Sequence, residues 1–460
     1  MQRSWLARAS RISGSANGKE RSPAGHQETL MRRFLYLLAA MTLTLSGCSS
    51  SSGGEGAPVE CTNDAQKQFV LDAMLDVYFW YALLPTNVDL SQHASPETLL
   101  AFLISAQPLD SFSFITSAEA DSQFFGEGKF EGFGFSSRFE AADDLRFTRV
   151  FTSSPAAQAG FERGHRILEL NDRTIAEIQA NEGVGVVFGQ SPLKFRIRRL
   201  DTTEFVVIVS HDNVTIDPLP QWRIIDMGGT PVGYVEFASF ISTADPLFST
   251  VFADFNAAGV SDVIIDMRYN GGGLVSTAEL LGDYFGGLIA DNLIFSKTLF
   301  NDKNTGSNRT EFFQRLVNST NLSRLVVIAM SGTASASEIV INSMEPYVEV
   351  TIVGDTTFGK PVGQVGIQFC EKILRATAFE TVNVLDQGDY FDGLPVDCPA
   401  VDDLTEAVGA DTDPSLVTAL AFLATGACPT AAGMLKPTFD RDLPQIDLRG
   451  PPWREFAGAF

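Results

Sequence analysis

Histidine is scarce in this 460-residue chain: there are four, His26, His93, His165 and His211. None falls within residues 218–425, where strand and helix patterns alternate. A Ser–His–Asp triad or a His-ligated zinc inside that stretch is excluded by composition alone. Basic residues are also few, 33 Lys and Arg against 56 Asp and Glu, and the formal net charge is −23. Phosphate backbones are held by basic surfaces, and no run of Lys or Arg offers one, so no nucleic-acid partner is expected and the acidity reads as solubility. Long apolar runs are missing too. The run Phe34 to Leu45 is too short to span a bilayer as a helix. No pair of cysteines has CxxC spacing.

What is present supports a folded chain. Hydrophobic residues make up 45%, enough for a large core, and the length leaves room for about three domains. Residues 1–30 are polar. Met31-Arg32-Arg33, the apolar run and Leu45-Ser46-Gly47-Cys48 then follow the order of a secretory signal. The Leu-Ser-Gly-Cys ending resembles the lipobox of bacterial lipoproteins. That resemblance implies that Cys48 becomes the lipidated first residue, anchoring the chain to the outer membrane on its periplasmic side, with Met31 as the true start. An ordinary signal followed by a free cysteine is the plainer alternative. Loss of residues 1–47, with seven basic and two acidic residues, would bring the charge to −28. Residues 48–60 read as a Ser- and Gly-rich tether. Four cysteines remain, Cys61, Cys370, Cys398 and Cys428, and an even number in an exported chain points to two disulfides. Sequence does not choose among the three pairings. The expectation adopted is Cys370–Cys398, flanking one segment of the alternating strand–helix stretch, and Cys61–Cys428, tying the residues after the tether to the end of that stretch.

Residues 61–120 read as a small helical domain. Phe69, Val70, Met74, Val77 and Trp80 recur at helical spacing over 66–84, and Ser95-Pro96-Glu97 opens a second helix over 99–104. Residues 121–214 are β-rich, with strands expected at 146–151, 166–170, 193–198 and 205–210. The sequence Ser154-Pro-Ala-Ala-Gln-Ala-Gly160, the stretch Arg163 to Asp172 and the earlier Gly132-Phe133-Gly134-Phe135 together resemble a PDZ domain. The resemblance implies that Gly132 to Phe135 bind a peptide carboxylate, with glycine backbone N–H groups converging on it and Phe lining an adjacent apolar pocket. His165 stands where Asp is usual. Residues 215–428 alternate strands (232–237, 262–266, 324–330, 348–354) with helices (245–258, 276–284, 335–344), the signature of an α/β domain with a mainly parallel sheet. The Pro-rich tail, 429–460, is expected to pack loosely.

The chemistry concentrates in that last domain. Ser331-Gly-Thr-Ala-Ser335-Ala-Ser-Glu338 lies between an apolar strand and a helix. A serine on such a turn is exposed as a nucleophile and sits at the positive end of the helix; it is also what ordinary helix capping looks like. Lys360 stands between Gly359 and Pro361 on a tight loop, an unusual setting for a surface lysine, and Gln364 follows by four. Upstream, Asp266-Met-Arg-Tyr-Asn270-Gly271-Gly272-Gly273 ends another strand, and its glycines could present N–H groups to an oxyanion.

In this order the three motifs resemble the carboxyl-terminal processing proteases, or tail-specific proteases, across residues 62–425. The loop reads NGGG where NPGG is common, and Pro361 replaces a frequent Gly. The resemblance implies a ClpP/crotonase-like α/β core preceded by a PDZ domain and a small N-terminal helical domain, and no cofactor or metal. It implies Ser335 as nucleophile, Lys360 as general base and Gln364 as the group orienting the lysine. The oxyanion hole would come from the N–H groups of Ala336 and of one glycine among 271–273, taken as Gly272. The activity implied is a serine endopeptidase cutting exported proteins near their free C-termini. Two other readings are a PDZ binding module on an inactive protease scaffold, and a crotonase-like enzyme acting on acyl thioesters. Intact Ser335, Lys360 and Gln364 disfavour the first, and the export signal and PDZ pattern disfavour the second.

Overall fold

In a computed structural model, the structure describes residues 60–429 together with 443, 444, 446 and 450–453. The signal, the lipobox with Cys48, and nearly all of the tether lie outside the described residues.

Asp262–Asp266 is buried along its whole length, as a strand in the middle of a parallel sheet must be. It pairs in parallel with Pro231–Glu236 on one side and Arg324–Ala329 on the other. The six-stranded sheet runs Gln221–Asp226, Pro231–Glu236, Asp262–Asp266, Arg324–Ala329, Glu349–Gly354, Cys398–Pro399, antiparallel only at the first pair. Alternate residues face opposite sides. Val263, Ile265, Leu325 and Val327 join a core with Phe252, Phe255, Leu281, Phe285 and Ile341 of the helices Asp245–Ala258, Val275–Gly286 and Ala336–Met344. Ile264, Val326 and Ile328 face Leu416, Ala419 and Phe422 of the helix Pro414–Thr425. The sheet is thus covered on both faces, and the expected mixed α/β core is what the chain forms.

A second sheet carries the other half of the site. Its central strand, Lys372–Val382, pairs with Val362–Phe369, Phe114–Ser117 and Ile294–Phe300. The N-terminal helices, Asn63–Val77 and Pro96–Ile104, pack on this sheet through Val70, Met74, Leu99 and Leu103 against Phe369, Leu374 and Ala376. The first helix stops at Val77, short of the expected 84, because the chain is drawn out there and the Phe79 N–H donates to Thr377 O at 2.9 Å. The segment is also not wholly helical: Phe114–Ser117 is a strand of the second sheet.

The β-rich unit is a six-stranded sheet of Phe135–Ala141, Asp144–Val150, Arg166–Leu170, Leu193–Arg198 and Glu204–Val209, with Arg173–Thr174 on the third. Two short antiparallel strands, Lys129–Gly132 and Asp212–Thr215, lead the chain in and out of it. The tail departs from loose packing at Trp453, which is buried among Phe124, Phe130, Phe151 and Ile241. No helix among the described residues is long and apolar enough to cross a membrane.

The disulfide pairing differs from expectation. Cys61 bonds Cys370, with Cα atoms 6.0 Å apart, and Cys398 bonds Cys428, 5.2 Å apart. The reason is topological. Cys370 lies in the turn between Val362–Phe369 and Lys372–Val382, on the sheet that carries the N-terminal helices and so Cys61. Cys398 is on the edge strand of the other sheet, and Cys428 follows the helix packed on that sheet.

Candidate active site

Ser335 ends the turn between the strand Arg324–Ala329 and the helix Ala336–Met344. Its backbone has φ 57° and ψ −115°, a strained setting for a residue with a side chain. An ordinary N-cap has extended backbone, so plain capping does not account for this serine. The turn is fastened to the neighbouring strand end. The Thr333 hydroxyl donates to Met267 O at 2.7 Å, the Ala334 N–H to Asn270 O at 3.1 Å, and the Ser337 hydroxyl to the same oxygen at 2.9 Å. Asn270 is fully buried, and its amide donates to Phe237 O at 3.0 Å.

Gly272 lies against Ser335. A Cβ built there would come 2.7 Å from Ser335 Cβ and 2.9 Å from Ala336 N, so only glycine fits. Its oxyanion role, however, meets an obstacle: the Gly272 N–H donates to Asn270 Oδ1 at 3.0 Å. The expected donor is already engaged, and what Gly272 supplies here is space beside Ser335. Ala336, as the first residue of its helix, has an N–H outside the intrahelical ladder and next to Ser335.

Lys360 is carried on the loop after Glu349–Gly354. Its Nζ donates to Gln364 Oε1 at 3.0 Å and lies 4.8 Å from the centre of the Phe112 ring. The Gln364 amide nitrogen donates in turn to Phe112 O at 2.5 Å, which leaves its oxygen facing the amine. Burial pulls the Lys360 amine down to about 8, against the opposing pull of the Asp110 and Glu338 charges and with the help of Arg375. Among the described residues, no hydrogen bond joins the Ser335 hydroxyl to Lys360. The two are joined through Glu338 instead. Glu338 Oε2 accepts the N–H groups of Ser335 and Lys360, each at 2.8 Å. Its Oε1 accepts the Gly359 N–H at 2.7 Å and the Thr357 hydroxyl at 2.6 Å.

In the sequence Glu338 stands out only as part of the Ser331–Glu338 motif, and Phe112 does not stand out at all. Nothing near Phe112 in the sequence signals its place beside the lysine loop. The spacing of Ser335 and Glu338 does match a capping box, which is the one signal that could have drawn attention to the carboxylate.

The Gly132–Phe135 segment lies in the β-rich unit. Phe133 and Phe135 are fully buried, with ring centroids 6.0 Å apart, and belong to that unit's core rather than to an open pocket wall. The smallness of Gly134 is needed because a Cβ there would meet Ser154 Cβ at 2.2 Å. Gly132 pairs with Asp212 in the connecting strands. His165 is buried, and burial pushes its pKa down. No group of acidic, Cys or His side chains among the described residues is arranged to hold a metal ion.

Residues 231–388 match the family model described as peptidase family S41, and residues 65–114 match the peptidase S41 N-terminal domain. The chain is 23% identical to the carboxy-terminal processing protease CtpA of Bacillus subtilis (strain 168) over 52% of this chain and 49% of that protein. It is also 23% identical to CtpB of the same organism, over 56% of this chain and 53% of that protein. The chain spans about half the length of these curated relatives. A solved structure assigned to the S41 proteases, from Bacteroides fragilis NCTC 9343, shares the fold over 78% of this chain and 97% of that one, with TM-score 0.61 and 23% identity. Two S41 family models thus match in chain order, and the chain is similar to carboxy-terminal processing proteases over about half its length.

Proposed function

We propose that the chain is a serine endopeptidase that cleaves exported proteins near their C-termini through an acyl-enzyme formed on Ser335. The observation that carries the reading is the strained Ser335 turn, tied through one carboxylate to a loop bearing a lysine whose amine burial brings down to about 8. An ordinary lysine, near about 10.4, is charged at neutral pH and cannot accept a proton. A desolvated one has a neutral fraction that can. Lys360 Nζ takes the Ser335 hydroxyl proton as Oγ attacks the scissile carbonyl. The Ala336 N–H, at the positive end of its helix, faces the oxyanion that develops. Lys360 then gives the proton to the departing amine, afterwards takes one from the water that attacks the ester, and returns it to Ser335 Oγ as the acyl bond breaks. Gln364, held by Phe112 O, keeps the amine aimed without adding negative charge.

The β-rich unit is proposed to be a PDZ domain that receives a free C-terminal carboxylate at the backbone of Gly132 to Phe135. Cys48 is proposed to be the lipidated mature N-terminus, holding the enzyme at the outer membrane facing the periplasm. The experiment is a cleavage assay on an unstructured protein, with wild type and Ser335→Ala, followed by sequencing of substrate C-termini in cells carrying each. Loss of cleavage in Ser335→Ala, with longer C-termini accumulating in those cells, is expected. Equal cleavage by both proteins would overturn the proposal.

A further inference from the structure

Glu338 has no part in a bare Ser–Lys scheme, yet it touches both halves of the site. It is fully buried, one turn into the helix that begins after Ser335. A carboxylate has about four lone-pair sites, and here four donors fill them, from Ser335, Lys360, Gly359 and Thr357. A residue serving only its own helix would need the Ser335 N–H and nothing more. Three of the four bonds instead go to the loop that bears the lysine. An ionised carboxylate costs free energy to bury unless hydrogen bonds or a counter-charge replace its water, and four donors do so here. Burial pushes its pKa up, and the four hydrogen bonds oppose that rise.

We propose that Glu338 is the positioning residue of the dyad, one ionised carboxylate that holds the nucleophile's turn and the base's loop in fixed register. The proposal rests on the Ser335–Lys360 reading. Its charge has a second effect. Lys360 feels Glu338 from the nucleophile helix, Asp110 from the segment before Phe114–Ser117, and Arg375 from Lys372–Val382. Tyr390 also faces Glu338. The two carboxylates favour the ammonium, and Arg375 opposes it.

The test is the rate at which a fluorophosphonate acylates Ser335 between about pH 6 and 10, per mole of folded protein, in wild type, Glu338→Gln, Glu338→Asp and Ser335→Ala. In Glu338→Gln, an NH2 group replaces one accepting oxygen and faces N–H donors. Its maximal rate should fall on the order of 10²-fold, as for a misplaced catalytic group. Its rising limb should move to lower pH, because removing a negative charge leaves the ammonium less stabilised. Glu338→Asp keeps the charge but loses reach, so its rate should fall about tenfold or more while its limb stays at the wild-type position. Folded Glu338→Gln with the wild-type rate and limb would overturn the proposal and leave the dyad reading intact. Should Glu338→Gln fail to fold, Glu338→Asp decides: a wild-type rate overturns the proposal, and a lowered rate with an unmoved limb upholds it. Acylation of Ser335→Ala at the wild-type rate would overturn both the dyad reading and the proposal built on it.

Discussion

Lys360 shows where charge information in a sequence runs out. Its neighbours Gly359, Pro361 and Val362 are uncharged, which is consistent with a lysine brought down by burial. The groups that tune it come from elsewhere: Asp110 and Glu338 favour the ammonium, Arg375 opposes it, and the Phe112 ring lies over the amine. Each arrives through sheet and helix packing, and sequence proximity carries no trace of it. Gln364 was legible, since four residues along the loop and strand are enough to reach the amine. The signed consequence is that Gln364→Glu would place a negative charge on Lys360 Nζ and favour the ammonium. The rising limb of its pH–rate profile should move to higher pH than in wild type. A limb at the wild-type position, measured by peptide cleavage across the same range, would contradict the assignment of Gln364 to the amine.

The strands and helices of the α/β domain were readable because their buried faces are continuous. Asp262–Asp266 and Asp245–Ala258 fall on their expected bounds. What pattern could not supply was the ionic wiring between elements. Arg268, buried at the end of Asp262–Asp266, is bonded by Asp266 at 2.7 Å, Asp413 at 2.6 Å and Asp402 at 3.0 Å. Asp402 also takes Arg163 at 2.5 Å, with Arg138 and Tyr269 beside it, and so ties the β-rich unit to the strand that leads into Gly271–Gly273. Burial alone would push the Asp402 carboxyl up, but Arg163, Arg138 and Arg268 hold it well below the usual carboxylate range. A carboxyl depressed in the folded state contributes stability above its unfolded pKa and loses that contribution as pH falls below it. Asp402→Asn should therefore lower Tm strongly at pH 7, by the equivalent of about 3–5 kcal/mol for a broken buried pair. That deficit should shrink as the pH falls below about 4. A deficit independent of pH would show that the loss is one of packing rather than charge.

Across the whole molecule, the order of the parts was legible and their attachments were not. A chain read segment by segment presents the N-terminal helices as a separate domain. In the structure they pack on the second sheet, are bonded to it through Cys61–Cys370, and bring Phe112 to the lysine loop. The pairing was misjudged because the choice depends on which sheet each cysteine occupies, and periodicity does not report that. Loss of Cys398–Cys428, which closes a separation of 30 residues, should cost about 3–4 kcal/mol on the chain-entropy model. Non-reducing peptide mapping should recover Cys61–Cys370 and Cys398–Cys428, and Cys428→Ser should lower Tm in the absence of reductant. Any other linkage would contradict the two-sheet arrangement described here.

The proposed mechanism requires Lys360 to act as a base rather than as a fixed positive charge. Arginine keeps that charge but cannot give up its proton at working pH. The decisive measurement is kcat/KM for cleavage of an unstructured protein by wild type and by folded Lys360→Arg, from about pH 6 to 10. Wild type should rise along a limb centred near about 8, the value to which burial brings the amine. Above that limb Lys360→Arg should be slower by on the order of 10²–10⁴-fold, the range general-base catalysis contributes, and it should lack the limb. Cleavage by Lys360→Arg at the wild-type rate would contradict the Ser–Lys mechanism, even with Ser335 proved essential.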